Sequence, residues 1–123
     1  MAKYEEIIER AKKVGLPVAE YEFRDTKQNP APDPPFLIYF SSEDQEGGDM
    51  GRNTIRRIAA SIELYTDRKP DHSLERKIES EVLFDIPFHK TTAPIQSESM
   101  YQTAYDFNVV QKIAIERRKD NGE

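Results

Sequence analysis

Cysteine is absent from the 123-residue chain. Its absence excludes disulfides, thiolate metal sites and cysteine nucleophiles, and it fits a reducing compartment. Long apolar runs are missing too: no stretch approaches the ~18 residues that a membrane-spanning helix needs. The opening stretch MAKYEEIIERAKK is charged throughout and has no apolar segment of the secretory kind, so the reading is a cytosolic product. Positive charge is in deficit, with 18 Lys and Arg against 23 Asp and Glu and a net charge of −5. A polyanion such as DNA would meet net repulsion, which disfavours a general nucleic-acid binder.

Apolar residues are also scarce, 37% against the usual ~45–50%, while charged residues reach 33% against ~25%. The length suits one domain that buries roughly two-thirds of the surface its unfolded chain exposes. Such a chain is short of core, and a partner surface is the natural remedy.

What is present sorts into elements by periodicity. Tyr4, Ile7, Ile8, Ala11 and Val14 recur at helical spacing and make one apolar stripe. Glu5 and Glu6 at its start and Lys12 and Lys13 at its end complement the helix dipole, and Gly15 can close it in the left-handed conformation. In LPVAEYEF, Ala19, Tyr21 and Phe23 alternate with Glu20 and Glu22, which predicts a short, half-buried strand. Residues 27–35 are polar and carry Pro30, Pro32, Pro34 and Pro35. They read as a stiff connector delivering Phe36 into a sheet; a ligand for an aromatic groove is the other use of such a segment.

FLIYFSS then predicts a strand covered on both faces over most of its length. Residues 43–53, with Gly47, Gly48 and Gly51, read as a turn or flexible loop. TIRRIAASIELYT, residues 54–66, puts Ile58, Ala60, Ile62 and Leu64 on one face and is long beside ordinary strands of ~5–6 residues. Asp71 can cap a second helix whose buried stripe is Leu74, Ile78 and Val82. FHKTT and SESMYQTAYDFNV read as a short and a long strand. From Gln111 onward the strand either continues or gives way to a short helix. The expected architecture is a single α+β domain over residues 1–115, a mainly antiparallel sheet with long hairpins and two helices packed on it. A polar tail, residues 116–123, is expected to be disordered.

Few constellations suggest chemistry. Glu43, Asp44, Glu46 and Asp49 lie near glycines, but taking Asp44 as the first ligand of a calcium loop puts Asp49 where the glycine belongs. His72 and His89 have no metal-ligand spacing, and EGGDMGR has neither phosphate-loop order. Glu63 is the best buried carboxylate but alternates opposite Ile62 and Leu64, onto the wet face. Arg56 and Arg57 point to opposite faces of a strand and make no single patch; salt bridges or a protein contact suit them better. Tyr39, Tyr65, Tyr101, Tyr105 and Phe107 are core by default, though amphipathic Tyr on long strands is also what interfaces recruit. No catalytic, cofactor or metal residue is assigned.

Taken together, GLPVAEYEF, PDPPFLIYF, IELYTDRKPD before a helix and SESMYQTAYDF near the end resemble a family of small proteins of long-tailed phages and Gram-positive prophages. These are the tail-completion, tail-to-head-joining and tail-terminator-like proteins. The likeness runs over residues 4–110; the loop at 24–33 and the KIAIERRKDNGE tail depart from the family pattern. The resemblance implies an α+β structural protein with no enzymatic activity or cofactor, which caps the tail tube as a ring, commonly hexameric, and docks it to the head connector. It implies assembly in the bacterial cytoplasm, a place at the head-proximal end of the tail, and a monomer in isolation as one permitted state. DNA could pass through such a ring, and no sequence-specific nucleic acid or membrane is a partner. The expected contacts are Asp44, Asp49, Arg52, Arg56, Arg57 and Tyr105. A small ligand-binding or regulatory α+β module, with a pocket between helices and sheet, is the alternative.

Overall fold

The computed structural model describes residues 2–47 and 53–114. Helix α1 (Tyr4–Lys12) leads into strand β1 (Val18–Glu20), followed by β2 (Phe36–Gly47), β3 (Asn53–Asp67), helix α2 (His72–Glu81), β4 (His89–Ile95), a single 3-10 turn and β5 (Met100–Ala114). The strands form one five-stranded sheet in the order β1-β2-β3-β5-β4. All neighbours are antiparallel except β1 and β2, which run parallel. This is the α+β architecture expected from the sequence.

Local chemistry sets the helices. The Lys3 N–H donates to the Glu6 carboxylate at 3.0 Å, and Gly15 takes φ +102 just past the end of α1. Asp71 caps α2 by accepting from the Leu74 N–H at 3.1 Å. Both helices lie on one face of the sheet. Ile7, Ile8 and Ala11 from α1 and Ile78, Val82 and Leu83 around α2 share a core with Leu37, Ile58, Ile62, Leu64, Tyr105, Phe107 and Val109. The period of two does the sorting, since these strand residues alternate with ones that face the other way.

On that other face no helix lies among the described residues. Phe36, Ile38 and Phe40 of β2 point to it and are half-buried, whereas Leu37 on the helix side is fully buried. The second cover expected over FLIYFSS is therefore thin. It comes from the segment after β1, where Tyr21 stacks on Phe40 at 6.5 Å and Phe23 meets Phe36 edge-on at 5.2 Å. The same segment shortens β1: Tyr21 adopts φ 68, a left-handed conformation that turns the chain out of the sheet after three strand residues.

The central strands are longer than the sequence alone suggested. β2 continues through Gly47 and β3 begins at Asn53, so Glu43 and Asp44 sit in the hairpin ladder and not in a loop. β5 runs on to Ala114, which settles the strand-or-helix ambiguity after Gln111 for the described residues. The polar tail expected at 116–123 lies outside them.

Candidate assembly surface

β3 sits in the middle of the long ribbon, paired with β2 over residues 54–65 on one side and with β5 along its whole length on the other. The outer strands are much shorter. β1 reaches only to Tyr39 on β2, and β4 only to Asp106 on β5. Beyond those points, residues 41–47 and 107–114 have no neighbouring strand on their outer edges among the described residues. Such edges are templates for pairing with another chain.

Between these edges lies the helix-free face. Its floor is made of small or polar side chains: Ser42, Ala59, Ser61, Asp106 and Asn108. A shallow groove of about 440 Å³ crosses it between Phe40 and His89, and a second of about 340 Å³ adjoins it along Ser42, Ala59 and Asn108. The second groove is flanked by Asp44, Arg57 and Val110, three residues side by side in register on adjacent strands. Val110 is 61% exposed, unusual for a large aliphatic residue in mid-strand.

Arg56, one residue away, faces the helices. Its guanidinium donates twice to Glu43, at 2.8 and 3.0 Å, and once to Glu5 of α1 at 3.2 Å. The paired contact with Glu43 holds its pKa above the usual arginine value against the opposing effect of burial, with Glu5 adding to it. At the same end the Tyr4 N–H donates to Gln111 on β5 at 2.7 Å. These contacts fasten α1 to the far part of the ribbon.

A second cluster of charge lies under α2. Glu75 is only 2% exposed. Its Oε2 accepts from Thr103 at 2.9 Å, and its Oε1 lies 3.0 Å from both Lys90 Nζ and His72 Nδ1. Glu79 accepts from Lys90 at 2.8 Å and from the Tyr105 hydroxyl at 2.7 Å. Burial pushes both carboxyls up, but these hydrogen bonds outweigh it and hold both below the ordinary glutamate value. Tyr105 is driven well above the ordinary tyrosine value by its burial, with Glu79 reinforcing the shift. General acid–base work needs two carboxyls pushed apart in pKa; here both are held ionised. The cluster ties α2 to β4 and β5.

The expected contact residues therefore separate. Asp44 and Arg57 lie together on the helix-free face. Arg56 belongs to the α1 clamp, with its side chain 18% exposed. Tyr105 is a correction: it is wholly buried beneath α2, so its expected role as a contact gives way to one in the core. Its position is set by parity with Phe107 and Val109, and its hydroxyl is satisfied by Glu79. Asp49 and Arg52 lie outside the described residues. His72 is exposed at the start of α2, and His89 is exposed on the edge strand β4. Glu63 faces away from the core as expected and is half-buried, accepting from the Tyr65 hydroxyl at 2.8 Å. Burial, with Glu63 adding to it, pushes Tyr65 up to about 12.

Sequence reasoning passed over Glu75 and Lys90. Glu75 stands three residues before Ile78 and seven before Val82, on the buried stripe, and that spacing was the available signal. Among the described residues no group of three or more His, Asp or Glu is placed to hold a metal ion. Set against known proteins, the chain matches no family model and no curated protein.

Proposed function

We propose that the chain is a structural tail protein of a long-tailed phage or prophage, one that caps the tail tube and joins it to the head connector. The observation that carries this reading is a helix-free sheet face bounded by two outer edges that lack neighbouring strands among the described residues, on a domain whose opposite face carries both helices and the core. An antiparallel sheet with one wet face is ordinary. A wet face that combines a small-residue floor, an exposed Val110 and two long open edges is better suited to being covered by other subunits. Asp44 and Arg57 supply charge at its rim, and a ring of copies is the assembled form. The sequence likeness to tail-completion proteins supports the same reading.

The ligand-binding alternative requires space between helices and sheet. That space is filled by Ile7, Ile78, Leu64 and Tyr105, each wholly buried. The decisive test is to assemble tails with and without the protein and locate it by gold labelling. It is expected at the head-proximal end, and tails lacking it should fail to join capsids. Normal joining without it ends the proposal.

A further inference from the structure

A different cavity, at the opposite end of the ribbon from Ala114, has the chemistry of a peptide site. It holds about 440 Å³ between the proline-rich segment and the start of β5. Phe23, Pro32, Phe36 and Ile38 make its apolar wall, and Asp67 and Glu98 stand at its polar rim. Phe36 is fixed from two sides, edge-on to Phe23 and stacked on Tyr65, both at 5.2 Å. The rim is fixed as well: Arg68 and Ser99, both left-handed, are joined by the Arg68 N–H donating to the Ser99 carbonyl at 3.2 Å. Both rim carboxylates are exposed; Asp67 has the exposed Arg68 guanidinium 3.8 Å away, which an incoming cation would share or displace. Aromatic walls under acidic oxygens suit a short basic segment with an apolar flank, its cations over the rings and beside the carboxylates.

The chain itself carries such a segment. Ile115 is followed after one residue by Arg117, Arg118 and Lys119, the longest run of basic residues in the sequence. It cannot serve its own cavity. β5 runs fifteen residues from Met100, which lines the cavity, to Ala114. At ~3.4 Å per residue that separates the two ends by roughly 48 Å. Lys119 lies five residues past Ala114, a reach of at most ~18 Å. Only another copy can supply it. We infer that the aromatic, acid-rimmed cavity of one copy receives the Ile115–Lys119 segment of a second copy, a head-to-tail contact that repeats from subunit to subunit. It deepens the assembly reading and rests on that reading for its purpose, though not for its chemistry.

The probe is a synthetic peptide of residues 113–123, titrated into the 15N-labelled full-length chain and followed by NMR. Amide shifts are expected at Phe36, Ile38, Asp67, Glu98 and Met100, and they should fade in ~1 M salt. A peptide carrying Arg117→Glu, Arg118→Glu and Lys119→Glu should bind at least about tenfold more weakly. Chain carrying Asp67→Lys and Glu98→Lys should prefer that reversed peptide. Equal binding of both peptides by the unaltered chain overturns the inference, as do shifts confined to Ala59 and Asn108 on the helix-free face. The tail-joining assay reads separately. Peptide docking without tail joining would discard the phage reading and keep this contact, and the reverse result would do the opposite.

Discussion

Glu75 illustrates how far a single buried carboxylate can govern the behaviour of a domain. Burial alone would push it towards the neutral form, yet hydrogen bonds with His72, Lys90 and Thr103 hold it, like Glu79, below the ordinary value of 4.5. A folded-state pKa below the unfolded one adds stability above the ordinary range, and that stability drains away as pH falls through it. The urea midpoint should therefore hold from neutral pH down to about 5 and drop at lower pH. In Glu75→Gln the acid-side drop should be shallower, and an unchanged profile would remove Glu75 from the linkage. Thr103→Val takes away a buried donor to that carboxylate and should cost about 1–3 kcal/mol in urea unfolding. Arg56 and Arg57, adjacent in sequence, should behave differently. Arg56→Glu sets a third acid beside Glu43 and Glu5 and should lower the urea midpoint. Arg57→Glu, on the helix-free face opposite Asp44, should cost less, about 1 kcal/mol or below in urea unfolding, while impairing the proposed assembly.

Elements show where periodicity succeeds and where it misleads. α1 was legible because stripe, charges and Gly15 agreed, and α2 because Asp71 stands just before a clean stripe. Removing that cap in Asp71→Ala should cost about 1 kcal/mol by urea unfolding and leave α2 formed, since Ile78 and Val82 still bury their side chains. The strand read through Phe23 ends at Glu20 because Tyr21, whose N–H still donates to the Tyr39 carbonyl, turns left-handed and takes Phe23 out of the ladder while the pattern of two persists. Both rings pack onto Phe40 and Phe36 from outside the sheet, and a pattern of burial cannot distinguish that from strand pairing. The long ribbon offers a direct check by hydrogen exchange. Leu37 and the carbonyl of Tyr39 bond towards β1, so alternation turns the Ser41 N–H outward and the Ser42 N–H towards β3. Ser41 should exchange much faster than Ser42 in the free protein, and equal protection would mean that the edge is already covered.

For the whole molecule the question is what closes the exposed side. Ala59 lies at the junction of the two grooves and is exposed, so Ala59→Arg should fold with a parent-like circular dichroism spectrum and melting curve. Under the proposed assembly it should nonetheless block tail joining, because a long cation would stand where the neighbouring subunit is proposed to approach. Normal joining by a folded Ala59→Arg protein would move the contact elsewhere. Composition and alternation by themselves determined the α+β class, the two helices and the long central strands, because burial in each element follows a local period. The chain order could not say that α1 and α2 choose the same face. Nor could it say that Tyr105 lies under Glu79, that Arg56 reaches Glu5, or that Asp67 meets Glu98 at one rim. Those pairings join residues tens of positions apart, and only packing decides which distant surfaces meet.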